Sequence, residues 1–423
     1  MFIASSYGFS FVMTIPALLA IASTTLCAAE GRAYEEDKED RFWAFGDSFS
    51  DNGNLSLLFA TDGIDNTFLP PEAYVPFYPL AKELPLQRIS TGPTIAEYTA
   101  ECYGSVLLPS GLESWLPNGP LAANNFAIFA ARATANVPGL DLPYQIATFA
   151  QRLIEMGVDV SHDRALVFIG ANDIFQAFEA SIAPISAGGK EADFEAGRVV
   201  LDVTLASIRS YVFGDGGLVT LPGGTQVPVP SLAMLGISKF IMSSIPNLKF
   251  TPAAIQTAEL LQCDNVLKAA DELSEYFNEG FDAVVADMKA NNFDVVFLDT
   301  AQEFAKIQRN FKKLGFTNRE DDCFLVNLLN TLTNGNPPTP GVFRDTCSAE
   351  TTEDFLFLDS VHPTGAVHAL LADELLDDLP CVNGNYAKGG SGRSSKKNKQ
   401  KGNKKTMKML MKMTKAKYYG GKH

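Results

Sequence analysis

The stretch Arg41-Phe42-Trp43-Ala44-Phe45-Gly46-Asp47-Ser48-Phe49-Ser50-Asp51-Asn52-Gly53-Asn54 opens with a short apolar run, stops at Gly46 and passes through a polar turn toward a helix. A strand that is apolar on both faces belongs in a parallel sheet covered on both sides. Three later runs share this character: Ala165 to Ile169, ending at Gly170; Lys239 to Ile245, ending at Pro246; and Asp294 to Leu298, ending at Asp299. Between them, Leu142 to Met156 and Ala254 to Asn291 read as helices, the second long enough for two helices or one broken one. Strands alternating with helices predict an α/β domain with layered helices. Ala60 to Arg88 and Phe213 to Pro230 are rich in Pro, Gly and turn residues and read as long loops over the top of the sheet.

The 423-residue chain is 46% hydrophobic and 20% charged, which supports a packed core and excludes wholesale disorder. Its charge is unevenly placed. Lys388 to His423 carries 13 basic side chains and no acidic one, while the rest carries 21 basic and 49 acidic side chains. An acidic body repels phosphates, so no specific nucleic-acid partner is expected.

Residues 1–29 contain no charged side chain, and Phe9 to Ala22 is mostly apolar before the small residues that lead to Cys27-Ala28-Ala29. This reads as a secretory signal peptide cleaved near Ala28 or Ala29, and hence as a secreted protein. The alternative, a retained signal anchor, is disfavoured because the run is shorter than the ~20 residues of a spanning helix and holds Pro16. Residues 30–40 form an acidic lead, 41–381 the folded domain, and 382–423 a linker with a Lys-rich tail. Lys396 to Lys417, with Met407, Met409, Leu410, Met411 and Met413, reads either as a weak basic amphipathic helix for an anionic membrane or polymer, or as a solvated extension.

Secretion permits disulfides. Cleavage leaves Cys102, Cys263, Cys323, Cys347 and Cys381, enough for two bridges and one free thiol. Cys323 and Cys347 bracket a loop rich in Asn, Pro, Gly and Thr and are the first pair expected. No CxxC pair or His-Cys cluster exists, so neither a zinc site nor any cofactor is expected.

Ser48 lies on the turn between the first strand and a helix, where a hydroxyl is exposed and a backbone N–H faces a developing oxyanion. By itself this Ser reads as an N-cap, where Ser and Asp are common. A second station gives it a partner. Asp359-Ser360-Val361-His362-Pro363-Thr364 sits near the end of the domain. A Ser hydroxyl needs an imidazole to take its proton, and that imidazole needs a carboxylate on its other nitrogen. A three-residue spacing on a loop lets Asp359 fold back onto His362. Of the other histidines, His423 is terminal, His368 sits inside the last helix as a packed or solvated residue, and His162 has no partner motif.

GDSFSDNGN followed late in the chain by DxxHPT resembles the GDSL or SGNH hydrolases, a family of secreted serine esterases and lipases, in its plant-type and lecithinase-like branches. The resemblance spans Arg41 to Cys381. It implies a three-layer α/β/α, flavodoxin-like architecture, with Ser48, Asp359 and His362 as the catalytic residues. It also implies an oxyanion hole of the Ser48 N–H, the Gly92 N–H from Ser90-Thr91-Gly92 and the Asn172 amide from Gly170-Ala171-Asn172-Asp173. Two positions depart from relatives: Phe129 stands where small residues are usual, and Pro93 follows Gly92. The expected activity is cofactor-free hydrolysis of carboxylic esters, of lipids or acetylated carbohydrates, through an acyl-enzyme. A noncatalytic surface or matrix protein using its basic tail to bind polyanions is the alternative. Tyr74, Phe77, Tyr78 and Trp115 are either an acyl pocket lining or plain loop packing. Asn54-Leu55-Ser56 is a glycosylation sequon that lies inside the first block, where it is expected to be buried and unused.

Overall fold

A computed structural model describes residues 41–61, 87–111, 123–135, 139–221, 223–325, 342–376, 379 and 381. The expectations about the leader, the acidic lead, the tail and the four loop aromatics lie outside these residues.

Four parallel strands form the central sheet in the order β1 (Phe42–Gly46), β2 (Arg164–Phe168), β5 (Lys239–Ser243) and β6 (Asp294–Leu298). All five residues of β1 are buried, and four of five in β2 and β5, as expected of strands covered on both faces. A fifth extended segment lines the free side of β1. Ala44 donates its N–H to Asn124 O at 2.9 Å, and Phe126 and Ile128 donate theirs to Ala44 O and Gly46 O at 2.7 and 3.1 Å. The chain therefore leaves β1 to one side for residues 124–128 and returns on the other side for β2. Such a reversal opens a crevice beyond the carboxyl ends of the strands.

Helices α1 (Asn54–Thr61), α2 (Ile95–Cys102) and α3 (Leu142–Met156) separate β1 from β2. The β2–β5 crossover holds α4 (Ala171–Ser186) and α5 (Phe194–Val212). The β5–β6 crossover holds α6 (Pro252–Leu261) and α7 (Asn265–Ala290), so the long helical stretch is two helices. After β6 come α8 (Thr300–Leu314), β7 (Asn318–Asp322), the short antiparallel pair β8 (Phe324–Leu325) and β9 (Val342–Phe343), β10 (Phe355–Phe357), which pairs in parallel with β7, and α9 (Gly365–Leu375). Helix α5 packs on α3, α4 and α7, while α9 packs on α2 and α8. The architecture is the expected α/β fold built on a parallel sheet.

One expectation is corrected. Phe213 to Pro230 is not a plain loop: β3 (Gly217–Thr220) and β4 (Gln226–Val229) pair antiparallel. Val219, Val227 and Val229 are buried on one face, and Tyr144 of α3 donates its hydroxyl to Thr220 O at 2.7 Å. The valines at every second position of β4 were present, but the Pro and Gly content masked them.

The core beneath β1 is aromatic. Phe45 stacks on Phe126 at 5.3 Å and meets Phe149 of α3 edge-on at 5.3 Å. Fully burying such a side chain contributes about 1.5–3 kcal/mol. Two disulfides close the domain, Cys102–Cys381 and the expected Cys323–Cys347, while Cys263 is a free thiol.

Candidate active site

The strand carrying Ser48 ends because Gly46 adopts φ +151°, and a Cβ there would sit 2.1 Å from Phe168 O. Gln145 brackets this glycine, accepting its N–H at 2.9 Å and donating to its carbonyl at 2.8 Å. Beyond it, Asp47 O accepts the N–H groups of Ser50 and Asp51, both at 3.0 Å, in a single tight turn. Helix α1 starts only at Asn54, so Ser48 heads this turn rather than a long helix. Asp51 holds the turn together by accepting N–H bonds from Gly53, Asn54, Leu55 and Phe129. Burial lifts its carboxyl to about 6 against those donors. Asn54 is buried and its amide donates to Asn125 O and Ala127 O, so the sequon asparagine is a packing residue.

The second station meets the first. His362 Nε2 lies 2.8 Å from Ser48 Oγ, and its Nδ1 lies 2.7 Å from Asp359 Oδ2. Asp359 Oδ1 also accepts the N–H groups of Val361 and His362 at 2.9 and 2.7 Å, while Leu358 donates its N–H to His362 O at 2.8 Å. Burial acts to raise the Asp359 carboxyl. The nearby His362 charge and these three donors outweigh it, and the carboxyl is held below the usual range. His368 is packed, as one of its two expected roles had it. It is fully buried, accepts the Ile95 N–H at 3.2 Å, and burial pushes it down to about 3.

Asn172 is the second residue of α4, placed at the carboxyl end of β2 by Gly170, whose φ is +125° and whose missing Cβ makes room for Phe277. Its Nδ2 donates one hydrogen to Ala131 O at 2.9 Å and lies on the wall of the cleft that holds Ser48. The Ser48 N–H has no acceptor among the described residues. Gly92 differs from expectation. It is buried but is not among the residues facing the cleft, and its N–H donates to Ser90 Oγ at 3.3 Å. Its backbone packs so closely on Gly365 that a Cβ there would lie 2.5 Å from Gly92 N.

Asp47, beside Ser48, is buried with Oδ2 unpartnered among the described residues, and burial lifts its carboxyl to about 7 with Asp173 adding to the rise. The cleft has a volume of about 600 Å³. Phe129 lies in it, with its ring centroid 5.6 Å from that of His362, so it shapes the pocket there. Sequence reasoning missed other lining residues. Arg132, Gln176 and Glu179 line one part, and the Asp322–Arg344 ion pair, 2.7 Å, lines another beside the Cys323–Cys347 bridge. The one available signal was the spacing Asn172, Gln176, Glu179, which puts three polar groups on one face of a helix.

Two GDSL esterase/lipases of Arabidopsis thaliana are similar to this chain. One is 26% identical over 79% of this chain and 84% of its own length. The other, GDSL esterase/lipase 4, is 24% identical over 81% and 88%. Among solved structures, an acetylxylan esterase from Geobacillus stearothermophilus is 14% identical with a TM-score of 0.32, over 80% of this chain and 92% of that one. Residues 42–375 match the model of the GDSL-like Lipase/Acylhydrolase family. That span takes in Ser48, Asn172, Asp359 and His362, and the chain belongs to this family.

Proposed function

We propose that this chain is a secreted serine ester hydrolase that works through an acyl-enzyme on Ser48. The observation that carries the reading is the continuous relay from Ser48 Oγ to His362 Nε2 at 2.8 Å and from His362 Nδ1 to Asp359 at 2.7 Å. Ser48 Oγ attacks the ester carbonyl as His362 Nε2 takes its proton. Asp359 fixes the tautomer and favours the imidazolium. The oxyanion is held by the unpaired Ser48 N–H and by Asn172, which keeps a second amide hydrogen after bonding Ala131 O. Gly92 would join only by giving up its long bond to Ser90. His362 then protonates the leaving alcohol, and water, activated by the same imidazole, frees the acid. No cofactor enters these steps. The uncharged apolar leader supports secretion, and no helix among the described residues is long and apolar enough to cross a membrane. The Lys-rich tail is proposed to touch an anionic membrane or polymer.

The test compares wild type with Ser48→Ala on short nitrophenyl esters. Rapid hydrolysis lost in the variant supports the reading, and equal background rates in both would favour a scaffold.

A further inference from the structure

The cleft is chemically uneven. Ile245 and Leu248 after β5, Phe304 of α8 and Phe357 of β10 give it carbon walls. Along α4 the lining is mixed, with Ala171, Ile174 and Phe175 beside three polar side chains. Asn172, Gln176 and Glu179 share one helix face, and the 1.5 Å rise per residue carries Glu179 about 10 Å along the axis from Asn172. Arg132 reaches this face from the turn after Phe129, donating Nη1 to Gln176 Oε1 at 3.1 Å. Its backbone is anchored, because its N–H donates to Asp141 Oδ1 at 2.8 Å. Glu179 lines the cleft but is solvent-exposed, and it accepts no hydrogen bond among the described residues; partial desolvation still lifts its carboxyl above the usual range, with Arg132 opposing the rise.

Guanidinium and amide donors beside a carboxylate acceptor suit a ligand group that both donates and accepts. A hydroxyl does so. An anion meets Glu179 and a cation meets Arg132, so a neutral polyhydroxylated group fits better than either. In an ester with an apolar acyl chain, such a group is the alcohol half.

We propose that Arg132, Gln176 and Glu179 form a subsite for neighbouring hydroxyls of the leaving alcohol, so that the preferred substrate is a polyol ester whose acyl chain lies against the carbon walls. This rests on Ser48 being the nucleophile. Glycerol and sugars share the chemistry, and both are tested.

The experiment measures kcat/KM on three butanoate esters with one acyl group: ethyl butanoate, 1-monobutanoylglycerol and 6-O-butanoylglucose. Wild type prefers at least one polyol ester to the ethyl ester. In Arg132→Leu and Glu179→Leu, that preference, the ratio of the two kcat/KM values, falls about tenfold, the equivalent of one or two lost hydrogen bonds. The loss is mainly in KM. Glu179→Gln keeps an acceptor and loses under threefold, which separates binding from misfolding. The ester with the larger drop identifies the alcohol. A ratio unchanged in both Leu variants, with hydrolysis still dependent on Ser48, overturns the subsite alone. Hydrolysis that survives Ser48→Ala, or no hydrolysis of any ester, overturns the nucleophile reading and the subsite with it.

Discussion

Asp359 holds His362 twice over: its carboxylate takes the ring Nδ1 at 2.7 Å and the backbone N–H of the same residue at 2.7 Å. One side chain thus fixes both the ring orientation and the loop that carries it. Asp359→Asn keeps the shape but removes the charge that selects the tautomer and favours the imidazolium. Its kcat is expected to fall by about 10³–10⁴ with little change in KM. Steady-state kinetics at neutral pH check this, and a loss under tenfold would remove Asp359 from the relay.

The relay was legible because its chemistry is local in sequence at each end. A strand stopped by Gly46 presents Ser48, and Asp359 lies three positions before His362 on one loop. The strands β1, β2 and β5 were legible because burial on both faces leaves apolar runs, and the edge strand β6 because its run Val295 to Leu298 is apolar although only Leu298 is buried. What was hidden depends on contacts distant in sequence. The Gly92 N–H is turned to Ser90 and packed on Gly365, 273 positions away in the chain, which no spacing reveals. The Arg132–Gln176 contact spans 44 positions across β2, and the Asp322–Arg344 pair spans 22 positions across the pairing of β8 with β9.

Asn172 is proposed to stabilise the oxyanion rather than to bind the ground state. Asn172→Ala is expected to lower kcat by about 10²–10³ while KM moves little. Circular dichroism should match wild type, since α4 is held by its own packing on α5 and α7. A change confined to KM would contradict the role.

Asp47 links pH to stability. Burial lifts its carboxyl to about 7, above the ~3.9 of an unfolded Asp. The folded state then binds the proton more tightly, so this contribution is full below about pH 4 and is lost as pH rises through about 7. Asp47→Asn removes the titration. Thermal melts from pH 4 to 8 should give a Tm that falls less steeply with pH in the variant than in wild type. Parallel slopes would contradict it.

The Cys323–Cys347 bridge backs the cleft wall, because Asp322, Phe324 and Arg344 flank it and face the cleft. Closing a loop of 24 residues stabilises by about 3 kcal/mol. The double variant Cys323→Ser/Cys347→Ser should lose about that much in urea unfolding, and its KM for acyl esters should rise as the wall loosens. Unchanged stability and KM together would show that the bridge does neither.

The proposed nucleophile, Ser48, offers the most direct measurement. A fluorophosphonate probe forms a covalent adduct with a serine only when a neighbouring base takes its proton. Intact-mass and peptide mass spectrometry should find one adduct per chain, on Ser48, formed quickly in wild type and at least a hundredfold more slowly in His362→Ala. An adduct on another residue, or full esterase activity with Ser48 unlabelled, would contradict the account.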